Sequence, residues 1–190
     1  PAHFGMTPAS YAKGGKGARI AFATSASPLG RLLVAATEKG LCAVNLGDDD
    51  DLLEKELRRD YPLAEIDRDD GQLGASVKQV LAYLDGREPH IDLPVDLRAT
   101  AFQWQVWQRL RAIPAGETRS YGAIAADLGR PRAARAVGRA CATNPVSLIV
   151  PCHRAVGRDG AITGYRWGMD RKRRLLADEA ARAKRDRNSA

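Results

Sequence analysis

The stretch YGAIAADLGRPRAARAVGRACAT, residues 121–143, decides how the second half of this chain folds. Ser120 opens a short helix predicted over Tyr121 to Leu128, and Gly129 with Arg130-Pro131 marks a tight turn. A second helix is predicted from Pro131 or Arg132 to about Thr143. Helix, Gly-containing turn, helix is the helix-turn-helix arrangement. The second helix carries Arg132, Arg135 and Arg139 with Ala133, Ala134, Ala136, Gly138 and Ala140 between them. Small residues let a backbone approach a duplex closely, while long cations reach phosphates or enter a groove. A packed Ala-rich helix with solvated arginines has the same pattern, so the stretch alone leaves both readings open.

Downstream, Leu148-Ile149-Val150 reads as a buried apolar strand running into Pro151-Cys152-His153-Arg154. Pro151 fixes its own φ and biases Val150 to extended backbone, so Cys152 is delivered by a stiff segment. A positioned thiol beside His and Arg is one whose pKa can be lowered, and the thiolate is the nucleophile. Neighbouring side chains in an extended chain point to opposite sides, which favours proton transfer to His153 through one water, with a third group orienting the imidazole. A buried Cys beside a surface His is the alternative reading. Zinc fits poorly, because Cys42, Cys141, His3 and His90 lack metal-site spacing.

Upstream of the helix-turn-helix, Thr100 can cap a helix holding Phe102, Val106, Trp107 and Leu110 that stops before Pro114. Trp104 and Trp107, three apart on that helix, read as core or interface residues rather than base-stacking ones. Residues 89–97 form an extended connector, and a second domain begins near residue 98. Before it, Arg19 to Thr24, Arg31 to Ala36 and Leu41 to Leu46 alternate with turn signals, as in an antiparallel meander. Asp48-Asp49-Asp50-Asp51 precedes Leu52, Leu53 and Leu57, so carboxylates sit at the amino end of an amphipathic helix, where its dipole favours them. A further helix runs from about Ser76 to Leu84, and Gly86 ends it. Gly14-Gly15-Lys16-Gly17 reads as a flexible joint.

Of the 190 residues, 44% are hydrophobic and 28% charged, and the net charge of +7 is unevenly held. Residues 1–95 have 11 Lys/Arg against 15 Asp/Glu, net −4, and residues 96–190 have 19 against 8, net +11. A polyanion would bind the basic half, although a solubilising Arg-rich surface would give the same count. No apolar run approaches the roughly 20 residues of a membrane helix. Pro1 to Gly17 lacks the basic-then-apolar order of a secretory signal. Three cysteines without a CxxC pair point to a reducing compartment rather than a disulfide framework.

With these residues in hand, the chain resembles the O6-alkylguanine-DNA alkyltransferases, and within that family the carboxy-terminal part of the bacterial Ada type. The resemblance begins near residue 18 and is densest from Thr100 to Ala180. It rests on Thr100-Ala101-Phe102-Gln103, Val106-Trp107, Gly116-Glu117-Thr118, Ser120-Tyr121, Arg135-Ala136-Val137, Asn144, Pro151-Cys152-His153-Arg154, Gly164-Tyr165-Arg166-Trp167-Gly168 and Leu175-Leu176-Ala177-Asp178-Glu179. Residues 5–15 look like the tail of an AraC-type regulatory domain, which implies a piece, or a descendant, of a longer bifunctional repair protein and regulator.

The resemblance implies an α+β or α/β architecture in three parts. Residues 1–17 are a regulatory tail or linker, 18–97 a ribonuclease-H-like scaffold with an antiparallel sheet and helices, and 98–190 a mostly helical DNA-binding and catalytic domain. It implies a suicidal methylated-DNA–[protein]-cysteine S-methyltransferase that repairs O6-alkylguanine and O4-alkylthymine in one irreversible turnover. Cys152 would accept the alkyl group, His153 act as base through water, Glu179 orient it, Tyr121 donate toward guanine, and Asn144 brace the reactive loop. Arg135 would fill the gap left by the flipped nucleotide, with Arg132, Arg139, Ala136 and Tyr121 also against DNA. Val156, Tyr165, Gly164 and Arg154 would form the substrate pocket. It further implies no cofactor and no metal, double-stranded DNA as partner, no membrane, a monomer, and a bacterial cytoplasmic location, on the nucleoid when bound to DNA. A regulatory DNA-binding module and a lesion-binding protein without transfer are the competing functions, and Cys152, His153, Tyr121 and Glu179 together favour transfer.

Overall fold

The structure, a computed structural model, describes residues 17–188. The expectation for the amino-terminal tail falls on residues 1–16, outside the described residues. The chain divides into two units between Arg98 and Ala99.

In the first unit, β1 (Arg19–Ser27), β2 (Gly30–Thr37) and β3 (Gly40–Gly47) form the expected antiparallel meander. Its reversals are two-residue turns, since Ser27 pairs with Gly30 and Thr37 with Gly40. A fourth strand, β4 (Glu65–Arg68), adds to β1 in parallel, so the sheet is mixed, in the order β3-β2-β1-β4. This departs from the all-antiparallel sheet of the sequence reading. Only Ile66 of β4 is buried, so the strand is too short and too polar to carry a two-residue period. Leu32, Leu33, Val34 and Ala35 of β2 are all at 0% exposure, and successive strand residues face opposite ways, so both faces of β2 are covered.

Two helices pack on this sheet, α1 (Asp50–Asp60) on β2 and β3, and α2 (Asp70–Leu84) on β1 and β2. The Asp49 side chain caps α1 by accepting from Leu52 N, the use expected for the four-Asp run. Asp50 has a second role. Its carboxylate takes a bidentate pair from Arg31 at 2.7 Å and a hydrogen bond from Thr24, which fastens the helix start to the sheet. The α2 helix begins six residues earlier than Ser76 because Asp69 caps it, accepting from Gln72 N. The 89–97 connector closes on β3, with Leu41 N donating to Pro94 O and Asp96 N to Leu41 O.

The second unit starts with α3 (Ala101–Arg111), which opens on a capping box between Thr100 and Gln103. Trp107 on this helix is buried, and its indole N–H donates to Ala140 O at 2.9 Å, a core role. Next come α4 (Tyr121–Asp127), capped by Ser120, and α5 (Ala134–Ala142). Gly129, at φ +69°, makes the turn between them. The α5 helix starts later than expected. Arg130 O accepts from Ala133 N and holds residues 130–133 as a turn, and Ala133 offers no capping side chain, so Arg132 precedes the helix. A short parallel pair, β5 (Arg119–Ser120) with β6 (Ala155–Val156), and a long helix, α6 (Met169–Asn188), complete the unit. No helix among the described residues is long and apolar enough to cross a membrane.

Candidate functional site

The thiol sits in a different local structure from the one its sequence suggests. Leu148, Ile149 and Val150 are buried, as expected, but they form a turn rather than a strand, with Leu148 at φ +77° and Val150 N donating to Val146 O. Asn144 is the reason such a turn survives burial. Its Nδ2 donates to Val150 O at 2.8 Å and its Oδ1 accepts from Val146 N at 3.1 Å, doing for this backbone what a partner strand would otherwise do. Cys152 to Arg154 then coil into one 3-10 turn.

Three ionisable groups meet next to the thiol in the chain's 3-10 turn and α6. His153, at 0% exposure, donates from Nε2 to Glu179 Oε1 at 2.8 Å. Arg154 grips the same carboxylate with Nε on Oε2 and Nη2 on Oε1, both at 2.9 Å, while its Nη1 donates to Ile113 O. Gly116 N donates to Glu179 Oε2 at 3.3 Å. Gly116 must be glycine here, since it lies at φ +82° and a Cβ would come within 2.8 Å of the Ala183 methyl. Burial alone would push Glu179 up, but hydrogen bonds and charge from His153 and Arg154 outweigh it and hold the carboxyl well below its usual range. Burial pushes His153 below its usual value, more than Glu179 lifts it, so the imidazole is neutral at physiological pH. With Nε2–H committed to Glu179, Nδ1 carries the lone pair, and this buried atom finds no hydrogen-bond partner among the described residues.

Cys152 is 5% exposed, and burial drives its thiol up, against smaller opposing effects of an Asn144 hydrogen bond and the Lys172 charge. This corrects the expectation of a lowered value: the resting group is a thiol, to be deprotonated when it reacts. A cavity of about 570 Å³ opens beside it. Tyr121 and Thr163 through Arg166 form part of the wall, and Gly138, Cys141 and Ala142 of α5 form another. The helix that exposes Arg135, Ala136 and Arg139 thus backs onto the thiol's cavity.

Of the expected pocket residues, Gly164 and Tyr165 line this cavity, whereas Arg154 and Val156 do not. Arg154 is turned onto Glu179, because a buried carboxylate needs a paired cation, and Val156 is buried in the β5–β6 pair. The sequence reading missed Lys172. Fully buried, its ammonium donates to Ala155 O at 2.6 Å and Thr163 O at 2.9 Å, and it reaches the Tyr121 hydroxyl at 3.4 Å. Burial lowers its pKa, opposed by Cys152 and Cys141. Among Arg171, Arg173 and Arg174 it looks like one more solvated cation. Its signal was spacing, since Lys172, Leu175 and Glu179 form the buried stripe of α6. The Tyr121 hydroxyl donates to Thr163 O at 3.3 Å, and burial raises its pKa.

Two family models match the chain. Residues 20–97 match the ribonuclease-like domain of 6-O-methylguanine DNA methyltransferase, and residues 101–181 match its DNA binding domain. The Escherichia coli bifunctional transcriptional activator/DNA repair enzyme Ada is 46% identical over 95% of this chain and 51% of its own length. The chain therefore spans about half of that relative. A methylated-DNA–protein-cysteine methyltransferase of Methanosarcina acetivorans is 39% identical over 84% of this chain and 98% of its own. The crystal structure of Mycobacterium tuberculosis OGT in complex with DNA superposes with a TM-score of 0.74 at 41% identity, covering 86% of this chain and 94% of that one.

Proposed function

Because the chain belongs to the 6-O-methylguanine DNA methyltransferase family, we propose that it repairs O6-alkylguanine, and O4-alkylthymine, in double-stranded DNA by moving the alkyl group to its own Cys152. The observation that carries this reading is a buried thiol on a shared cavity, next in sequence to a neutral imidazole whose Nδ1 is unspent and whose Nε2 is fixed by Glu179. His153 Nδ1 takes the thiol proton through one water, and Glu179 stabilises the imidazolium that forms. The sulfur attacks the alkyl carbon in line. The S–C bond forms as the C–O6 bond breaks, and the electron pair passes to guanine. Tyr121 donates toward the leaving base as its charge develops, an interaction stronger in the transition state than in the ground state. The substrate's carbon is the electrophile and nothing removes the thioether, so each chain reacts once.

Residues 98–190 perform both binding and chemistry, and 18–97 act as scaffold. Arg132, Arg135 and Arg139 meet the phosphates and groove, Ala136 allows close approach, and Arg135 fills the space vacated when the lesion flips toward Cys152. The basic second half suits this role. The protein acts as a monomer in the bacterial cytoplasm, on the nucleoid when bound.

The test is stoichiometric. Increasing amounts of duplex carrying one O6-methylguanine are added to a fixed amount of protein, and restored guanine is counted. Repair should stop at one lesion per chain. Conversion that continues past equivalence would overturn self-alkylation, and an untouched lesion would overturn repair.

A further inference from the structure

Resting on the alkyl-transfer reading above, we propose that Cys141, a second thiol on the cavity, sets the size of the O6 substituent that this chain accepts. Gly138, Cys141 and Ala142 line the cavity from α5. At spacings of three and four residues they share one face of that helix. Gly138 has no side chain and Ala142 only a methyl, so Cys141 is the bulkiest group of the three, and it is the buried one. Its sulfur lies within electrostatic range of the reaction centre. Burial raises the Cys141 pKa, Cys152 adds to the rise and Lys172 opposes it, and the Tyr121 phenol in turn feels both cysteines.

This wall is held in place. Val137 and Ala140 of α5 are buried, and Trp107 Nε1 donates to Ala140 O at 2.9 Å. Gln103 Nε2 donates to the Thr143 hydroxyl at 2.9 Å, and that hydroxyl donates to Arg139 O at 3.1 Å, which ties the end of α5 to the start of α3. On the other wall, Lys172 Nζ donates to Thr163 O at 2.9 Å and to Gly164 O at 3.3 Å. A change of side-chain volume at residue 141 therefore falls on the cavity instead of being absorbed by a shift of the helix. In-line attack sets the Cys152 sulfur, the alkyl carbon and O6 along one line, so whatever else the carbon carries projects sideways into the cavity. A methyl group carries only hydrogens. A longer chain needs the space left at residue 141, where a buried Cys, a small apolar residue, leaves more than Leu and less than Ala. The chemistry is otherwise unchanged. The S–C bond to Cys152 forms, the C–O6 bond breaks with its electron pair going to guanine, the Cys152 proton passes to His153, guanine takes up a proton, and Cys141 keeps its own.

The experiment measures single-turnover transfer from duplexes containing O6-methylguanine or O6-propylguanine, with the wild-type chain, Cys141→Leu and Cys141→Ala. Cys141→Leu should lower the propyl-to-methyl rate ratio by about tenfold, the scale on which an excess methylene counts in a packed pocket, and Cys141→Ala should raise it. Taking a ratio within each variant cancels loss of folded protein, and a general disturbance does not shift the ratio in opposite directions for a larger and a smaller residue. Where Leu prevents folding, the Ala variant decides alone. A ratio that Cys141→Ala leaves unchanged or lowers, or that a folded Cys141→Leu leaves unchanged, with methyl transfer intact in the wild type, overturns this proposal alone. Absence of methyl transfer in the wild type overturns the transfer reading and this proposal with it.

Discussion

The two units bury very different side chains. Among the described residues, the first unit's core is aliphatic and aromatic, with Thr37, Asn45 and Asp96 as its buried polar groups. The second unit buries His153, Arg154, Lys172 and Glu179, and joins them through one carboxylate and a set of backbone carbonyls. Removing charges from water costs several kcal/mol per ion unless they are paired and hydrogen-bonded, so an aliphatic core is the cheaper way to be stable. The second unit forgoes that route, and gains a neutral imidazole with a fixed tautomer beside a thiol. Asp96 marks the contrast from the other side. Burial raises its pKa, the Thr37 hydroxyl donates to it, and its Oδ1 finds no hydrogen-bond partner among the described residues.

If the contrast is one between chemistry and packing, substitutions should separate rate from stability. The largest effect is expected from Glu179→Gln. It leaves Arg154 buried without its counter-charge, costing about 3–5 kcal/mol of stability, and it weakens the base, slowing transfer on the order of 10²-fold or more. The pH profile sharpens the point. Glu179 lifts the His153 pKa, so its replacement should move the acid limb of the rate profile to lower pH. In the wild type both groups bind protons less readily folded than unfolded. Stability is therefore fully present above the unfolded His value of about 6.5, and it is lost as pH falls, first through His153 and then through Glu179. Urea melts across that range check the sign.

The smallest effect on transfer is expected in the first unit. Leu33→Ala, at a fully buried position of β2, should cost about 2–5 kcal/mol while leaving the transfer rate of the folded fraction unchanged. A rate that falls with it would break the separation between the units.

The sequence was legible where local chemistry and fold agree. Thr100 with Gln103, Asp49 and Ser120 are caps whose side chains have few other uses, and the helices start where they stand. The family motif likewise brought Cys152, His153, Glu179, Tyr121 and Asn144 to notice before any geometry was known. Legibility failed where burial was decided at a distance. Leu148 to Val150 lack a period that separates a strand from a buried turn, and only the paired bonds of Asn144 settle the matter. Lys172 is hidden among arginines, and Arg154 adjoins the nucleophile in sequence yet serves Glu179. The sequence also misled on the thiol's pKa, because desolvation depends on everything packed around Cys152.

The central claim is that Cys152 is the acceptor, and the direct measurement is where the methyl group ends up. After incubation with excess duplex containing O6-methylguanine, the proteolytic peptide containing Cys152 should gain the mass of one methyl group. Cys152→Ala should gain nothing while still binding DNA. A methyl group found on another residue, or an unmodified Cys152 peptide from protein that has restored guanine, would contradict the account.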